Sequence, residues 1–145
     1  MQSRLTYCCS TWAAWEPRGN KVLLQRLQAV CNKFFRLIFN LGRNDSVRGL
    51  LKSNDILDIY QNYDFDIYKH MHKAVNGESP KPVQKMLGLS NDFFYFKTPR
   101  IQQTKKSIHF AGPHLWNTIP LGLNLTQEPN FSNFKNQIKQ YIINK

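Results

Sequence analysis

The sequence predicts a mainly α-helical fold: a small helical domain with three longer helices and an irregular, partly extended segment around residues 91–127. Two observations predict it. Apolar residues recur at spacings of three and four over residues 20–42, over 56–76 and over 129–142, the pattern of one buried stripe per helix. Between the second and third of these stretches the periodicity fades, and Pro99, Pro113 and Pro120 interrupt the chain.

Taken in order, the first helix carries Leu24, Leu27, Cys31, Phe34, Ile38 and Leu41 on one face, with Asn20 as N-cap and Gly42 as its stop. A short helix is expected after Ser46 through "VRGLLKS", weakened by Gly49. The next long helix should run from about Ile56 to Asn76, with Tyr60, Tyr63, Ile67, Met71 and Ala74 on one side. Asn54 or Asp55 is its expected cap, and Asn76–Gly77 its end. "ESPKPVQKMLGLS" reads as a turn into about two helical turns, started by Pro80 or Pro82. Beyond it, "FFYFK" and "KKSIHF" read as short strands separated by Thr98–Pro99. The last helix opens at Pro129–Asn130 and turns Phe131, Phe134, Ile138, Tyr141 and Ile142 inward, with Lys135 and Lys139 off that face.

Composition narrows the function. With 145 residues, the chain is expected to form one domain, residues 1–145. Ten Phe, six Tyr and three Trp supply enough apolar surface to argue against disorder. No stretch is apolar enough to span a bilayer, and the first residues lack the features of a secretory leader, so an intracellular location, nuclear or cytoplasmic, is expected without a membrane partner. Cys8, Cys9 and Cys31 form no disulfide framework and no zinc spacing with the four histidines. His70 and His72 lie on nearly opposite sides of their helix and are not expected to share a metal. No phosphate-cradling glycine loop, serine elbow or carboxylate cluster is present. Asp64 and Asp66, the only D-x-D, diverge on a helix. The expectation is therefore no enzyme, no cofactor and no small-molecule substrate.

Charge points toward polyanions. Twenty Lys and Arg against nine Asp and Glu give a formal net charge of +11, which favours nucleic acid through phosphate contacts. On the first helix, Arg26, Lys33, Arg36 and Arg43 fall within about a third of a turn, opposite the apolar stripe. That stripe fits a phosphate backbone; it equally fits the solvated side of a core helix. Arg100, Lys105 and Lys106 form a second candidate group in a basic loop.

The stretch "FAGPHLWNTIP" is the most distinctive motif. Gly112 permits a backbone turn, Pro113 is expected to begin a short helix "PHLWNT", and Pro120 ends the segment. Trp116 is then a latch plugging an apolar site between the long helices, with base stacking as the alternative. Together with the final helix, this block resembles the C-terminal end of reverse transcriptases of non-LTR retrotransposons, the jockey and chicken-repeat-1 groups in particular. Those proteins close with G-P-x-L-W-N-x-L-P, matched here by Gly112, Pro113, Leu115, Trp116, Asn117 and Pro120. An S-x-x-x-F-K-x-x-L-K-x-Y-L helix follows, matched by Phe134, Lys135, Lys139 and Tyr141, with Asn130 where serine is common. Upstream, "LQRLQAVCNKFFRLIFN" resembles the family's L-x-x-L-Q-x-x-x-x-R-x-I helix at Leu24, Leu27, Gln28 and Arg36. "TWAAW" resembles the segment before that helix, without its usual glycine. "ILDIYQNYDFDIYKHMHKAVNGESP" resembles the family's I-L-x-I helix and N-G-x-x-P turn, and "KTPR" stands near its N-T-R.

The resemblance spans about Tyr7 to Tyr141. It implies a segment lying beyond the polymerase palm and thumb. The family's F/Y-x-D-D motif does not occur in this sequence, nor does the acid- and histidine-bearing endonuclease region, so this chain is expected neither to polymerise nor to cut. The expected partners are RNA or DNA, bound weakly and without sequence preference, and a reverse transcriptase body onto which the segment docks. A helical protein-interaction module and an inert translated relic are the alternatives.

Overall fold

The computed structural model describes residues 21–87, 89–90, 93–94, 108–120, 123 and 125–145. These residues are mainly helical. In chain order they form α1 (Lys21–Ile38), α2 (Val47–Ser53), α3 (Ile59–Val75), α4 (Lys81–Leu87), the two-residue strands β1 (Leu89–Ser90) and β2 (Phe93–Phe94), α5 (Ile108–Trp116), a 3-10 turn (Leu125–Gln127) and α6 (Phe131–Asn144). β1 and β2 pair antiparallel, Leu89 opposite Phe94 and Ser90 opposite Phe93.

The core lies where α3, α5 and α6 pack together. From α3 come Ile67, Tyr68 and Met71, from α5 Trp116, and from α6 Phe134, Ile138, Ile142 and Ile143. Trp116 is 1% exposed. Its ring meets Phe134 at 5.8 Å between centroids and Phe94 edge-on at 6.2 Å. Its Nε1 finds no acceptor among the described residues, so the indole acts as an apolar plug. Burial of a side chain that size contributes about 3 kcal/mol.

Local chemistry explains the boundaries of α3 and the start of α6. Asp58, not Asn54 or Asp55, caps α3: its Oδ1 accepts from the Gln61 amide at 2.7 Å, while Gln61 Oε1 accepts from the Asp58 amide at 3.1 Å. This reciprocal D-x-x-Q pair starts the helix three residues later than the apolar pattern suggests. Asp55 instead takes a left-handed conformation, φ 53°, in the turn after α2. Gly77, φ 73°, ends α3 as expected. Asn130 caps α6 by accepting from the amides of Ser132 and Asn133.

The tryptophan motif departs most from expectation. Residues 108–110, read as the end of a strand, are helical, and α5 begins five residues before Pro113. Part of the segment read as irregular is therefore a packed helix. The reason is contact with α3. Ala111, Leu115 and Trp116 recur at helical spacing on the side facing the core, and the helix is short enough to forgo the hydrogen bond that Pro113 cannot donate. Gly112 is not a turn residue either. A Cβ there would stand 2.5 Å from Met71 Sδ, so glycine is what lets α5 cross α3 closely. The "KKS" part of the expected strand lies outside the described residues.

Two further sequence expectations are corrected. Tyr60 is exposed, leaving Ile59, Tyr63, Ile67 and Met71 as the inner side of α3. On α1, Cys31 is buried against Ile59, with Leu27, Phe35 and Tyr63 around them. Phe34 and Ile38, read as core, are 41% and 68% exposed. Helix α1 is rolled so that Gln28, Cys31 and Phe35 face α3. Gln28 Oε1 accepts from the Ile59 amide at 3.0 Å, tying α1 to the first turn of α3. The side chain of Leu24 lies outside those described.

Asp64 sits mostly buried on α3. Burial pushes its carboxyl up to about 6, Lys145 pulls it down, and Asp58 adds to the rise. Between about pH 4 and 6 the unfolded chain therefore releases this proton before the folded chain does. Stability falls as pH rises through that window. Asp64→Asn is expected to flatten this decline and to raise stability at pH 7 by about 1–2 kcal/mol, with little effect at pH 4; urea unfolding at both pH values checks it. The same measurement sorts the motif residues. Trp116→Ala should cost about 3–5 kcal/mol and Gly112→Ala about 1–3 kcal/mol. Exposed Lys135→Ala should stay within about 0.5 kcal/mol.

Candidate nucleic-acid interface

Helix α1 positions the first set of candidate cations. Arg26 and Lys33, two turns apart, are both exposed, and Arg43 is exposed in the turn that follows. Arg36 behaves differently. Its Nη2 donates to the Asp45 carbonyl at 3.3 Å, its Nε is buried, and the Asp45 carboxylate is occupied by the Gly42 amide at 2.7 Å. Arg36 thus braces the turn after α1 rather than facing solvent with the other three. Among the described residues no carboxylate forms an ion pair with any of these four side chains. Arg100, Lys105 and Lys106 lie outside the described residues, as does the "TWAAW" segment.

Between the exposed cations lies apolar surface. Val30 and Leu37 are 46% and 78% exposed, and helical geometry puts both within about 60° of Arg26 and Lys33. With Phe34 and Ile38 they form an uncovered strip along α1. The outer side of α1 is therefore mixed, basic on one edge and apolar on the other, instead of a continuous cationic track.

The residues of the G-P-x-L-W-N motif are brought together, but inside the molecule. Pro113 is buried, Leu115 packs on the core, and Phe134 from the second motif lies beneath Trp116. Asn117 has the most specific role. Its Oδ1 accepts from the Phe94 amide at 3.1 Å and its Nδ2 donates to the Phe94 carbonyl at 3.0 Å. One side-chain amide thereby takes the place of a neighbouring strand and holds the Phe94 ring against Trp116. Pro120 and Lys135 are exposed; Lys135 Nζ stands 6.0 Å from the centre of the Phe131 ring.

Sequence reasoning set the histidines of α3 aside as metal ligands and gave them no structural role. His72 is buried, stacked 4.2 Å from Phe134, and bonded through Nε2 to the Glu128 carbonyl at 2.7 Å. That bond requires a proton on Nε2 and ties the chain entering α6 to α3. His70 is exposed near Asp66, which also pairs with Lys69 at 2.8 Å. Asp64 and Asp66 do diverge. Among the described residues no group of three or more His, Cys, Asp or Glu side chains is arranged to hold a metal ion, and Cys31 is a free, buried thiol. No described helix is long and apolar enough to cross a membrane.

Two cavities are notable. One, of about 680 Å³, runs along α6 beside Leu123 and Leu125 and is walled by Asn136, Gln137, Gln140 and Tyr141. The other, of about 260 Å³, lies where α2, the start of α3 and the end of α6 meet. Arg48 and Lys52 line it from one side and Lys145 from another. Lys145 stands 93 positions after Lys52, so no local pattern signals the grouping. No protein-family model, curated protein or solved structure matches the chain.

Proposed function

We propose that this chain is the non-catalytic, post-palm C-terminal part of a non-LTR retrotransposon reverse transcriptase-like protein, and that it contacts RNA or DNA weakly and without sequence preference. The observation carrying the binding half is that Arg26, Lys33 and Arg43 are exposed and form no ion pair among the described residues. Cations free of internal partners on a chain of net charge +11 attract phosphates and release counterions on binding. The origin half is supported by the work the matched motif residues do. Gly112, Trp116, Asn117 and Gln28 each hold a specific contact, which gives a physical reason for a lineage to retain them.

A second reading, a helical module that docks on a protein, is favoured by the uncovered strip of Val30, Phe34, Leu37 and Ile38. A contiguous apolar surface rimmed by polar residues is the usual mark of an interaction face. The two readings share α1 but use different edges of it.

For the origin, the coding DNA upstream of Met1 should carry an in-frame or decayed F/Y-x-D-D palm; its absence removes the proposed ancestry. For binding, a filter assay against a short single-stranded RNA should show affinity falling steeply with salt. Arg26→Gln with Lys33→Gln should weaken it roughly three- to tenfold and reduce the salt slope by about 0.7 per lost contact. Affinity that stays level from low to high salt contradicts the electrostatic reading. For docking, Leu37→Ser with Ile38→Ser should change stability by less than about 0.5 kcal/mol. A loss above about 2 kcal/mol means the folded chain covers that strip itself and ends the docking reading.

A further inference from the structure

We infer that the cleft between α2, the start of α3 and the end of α6 is a binding site for a phosphate-type oxyanion, gripped by Arg48, Lys52 and Lys145. Arg48 and Lys52 stand one turn apart on α2 and so project from the same face, and both line the cleft together with Lys145. Its volume of about 260 Å³ is several times the ~30 Å³ share of a water molecule. A tetrahedral anion fits with part of its hydration shell. Leu51, buried, and Ile143 form the apolar part of the wall. Such a wall lowers the local dielectric and strengthens attraction toward the three cations.

Among the described residues Asp58 is the one side-chain carboxylate that lines the cleft, and its single charge is outnumbered by the three cations. Its Oδ1 accepts from the Gln61 amide at the positive end of α3. Asp64 feels the charge of Lys145 but does not line the cleft. Among the described residues none of the three cations forms an ion pair, although the Lys145 ammonium stands 5.8 Å from the centre of the Tyr141 ring and has to swing from it to reach an anion. The donor set suits phosphate oxygens: a guanidinium offers two parallel N–H groups, and the ammoniums act as mobile point charges. The same chemistry is presented by a phosphodiester in a nucleic-acid strand and by free phosphate. This site rests on its own geometry. It adds a second anchor to the polyanion reading without depending on α1.

The test follows backbone amides of Arg48, Lys52 and Asn144 by NMR in the 145-residue protein, at constant ionic strength. It titrates inorganic phosphate and, separately, a single strand of about eight nucleotides. Saturable shifts at these amides with phosphate are expected. Arg48→Gln with Lys52→Gln should weaken phosphate binding at least about tenfold, given two lost charge-assisted contacts, with an unchanged unfolding midpoint. Lys145→Gln, on another element, should weaken it independently, and Arg26→Gln with Lys33→Gln should leave it unaltered. If the oligonucleotide shifts the same amides, the cleft takes a backbone phosphate; if phosphate alone does, it takes a free one, and either result supports the site. Absence of a saturable phosphate response, or an equal response in the α2 variant, overturns it.

Discussion

The close crossing of α5 over α3 is the constraint on which the rest depends. Gly112 lets the two helices approach until Met71 fills the space where a Cβ would stand. That approach carries Trp116 down onto Phe134, and Asn117 then pins Phe94 against the indole. Three elements distant in sequence meet at one residue, because Trp116 touches a strand and a helix while belonging to a third element. Packing of this density has little tolerance for change in volume. The motif residues are therefore best understood as one mechanical unit in which glycine sets distance, tryptophan fills, and asparagine fixes register.

The periphery is built on a different principle. Helix α1 reaches the body through Cys31 and Ile59, with Gln28 capping α3 and Arg36 bracing the turn beyond. Among the described side chains, Leu27, Cys31 and Phe35 join it to the body, and Val30, Phe34, Leu37 and Ile38 are left open. An attachment made by a small cluster and a few polar bonds is the kind that opens locally before the whole domain unfolds. Exposed Arg26 and Lys33 and the exposed apolar strip both lie on this loosely held arm. The cleft beside α2 and α6 is set instead against buried Leu51 and Ile143.

How much of this was legible in the sequence follows from which forces are local. The apolar stripe of α6, the Asn130 cap and the stop at Gly77 depend on neighbours within a turn or two, and they stand where the pattern puts them. The first turn of helix α5 was hidden because Gly112 read as a turn and Pro113 as the first position of a shorter helix, while the contact with Met71 that makes glycine necessary comes from 41 residues away. The roll of α1 was equally invisible. Periodicity shows that a stripe exists, not which part of it a neighbour covers, and Gln28 as a cap for Ile59 fixes that choice. Of the α1 cations, spacing alone placed Arg26, Lys33 and Arg43 correctly in solvent, but the Asp45 carbonyl that draws in Arg36 belongs to the following turn. Arg48 and Lys52 meet Lys145 only through the fold.

Native-state hydrogen exchange tests the central claim most directly. If the Trp116 staple organises the molecule, amides of α3 and α6, and the Phe94 amide held by Asn117, should open only at free energies near that of global unfolding. Amides of α1 should open at clearly lower energy. Equal protection of α1 and α6, or a Phe94 amide that exchanges like an exposed loop, would contradict the account.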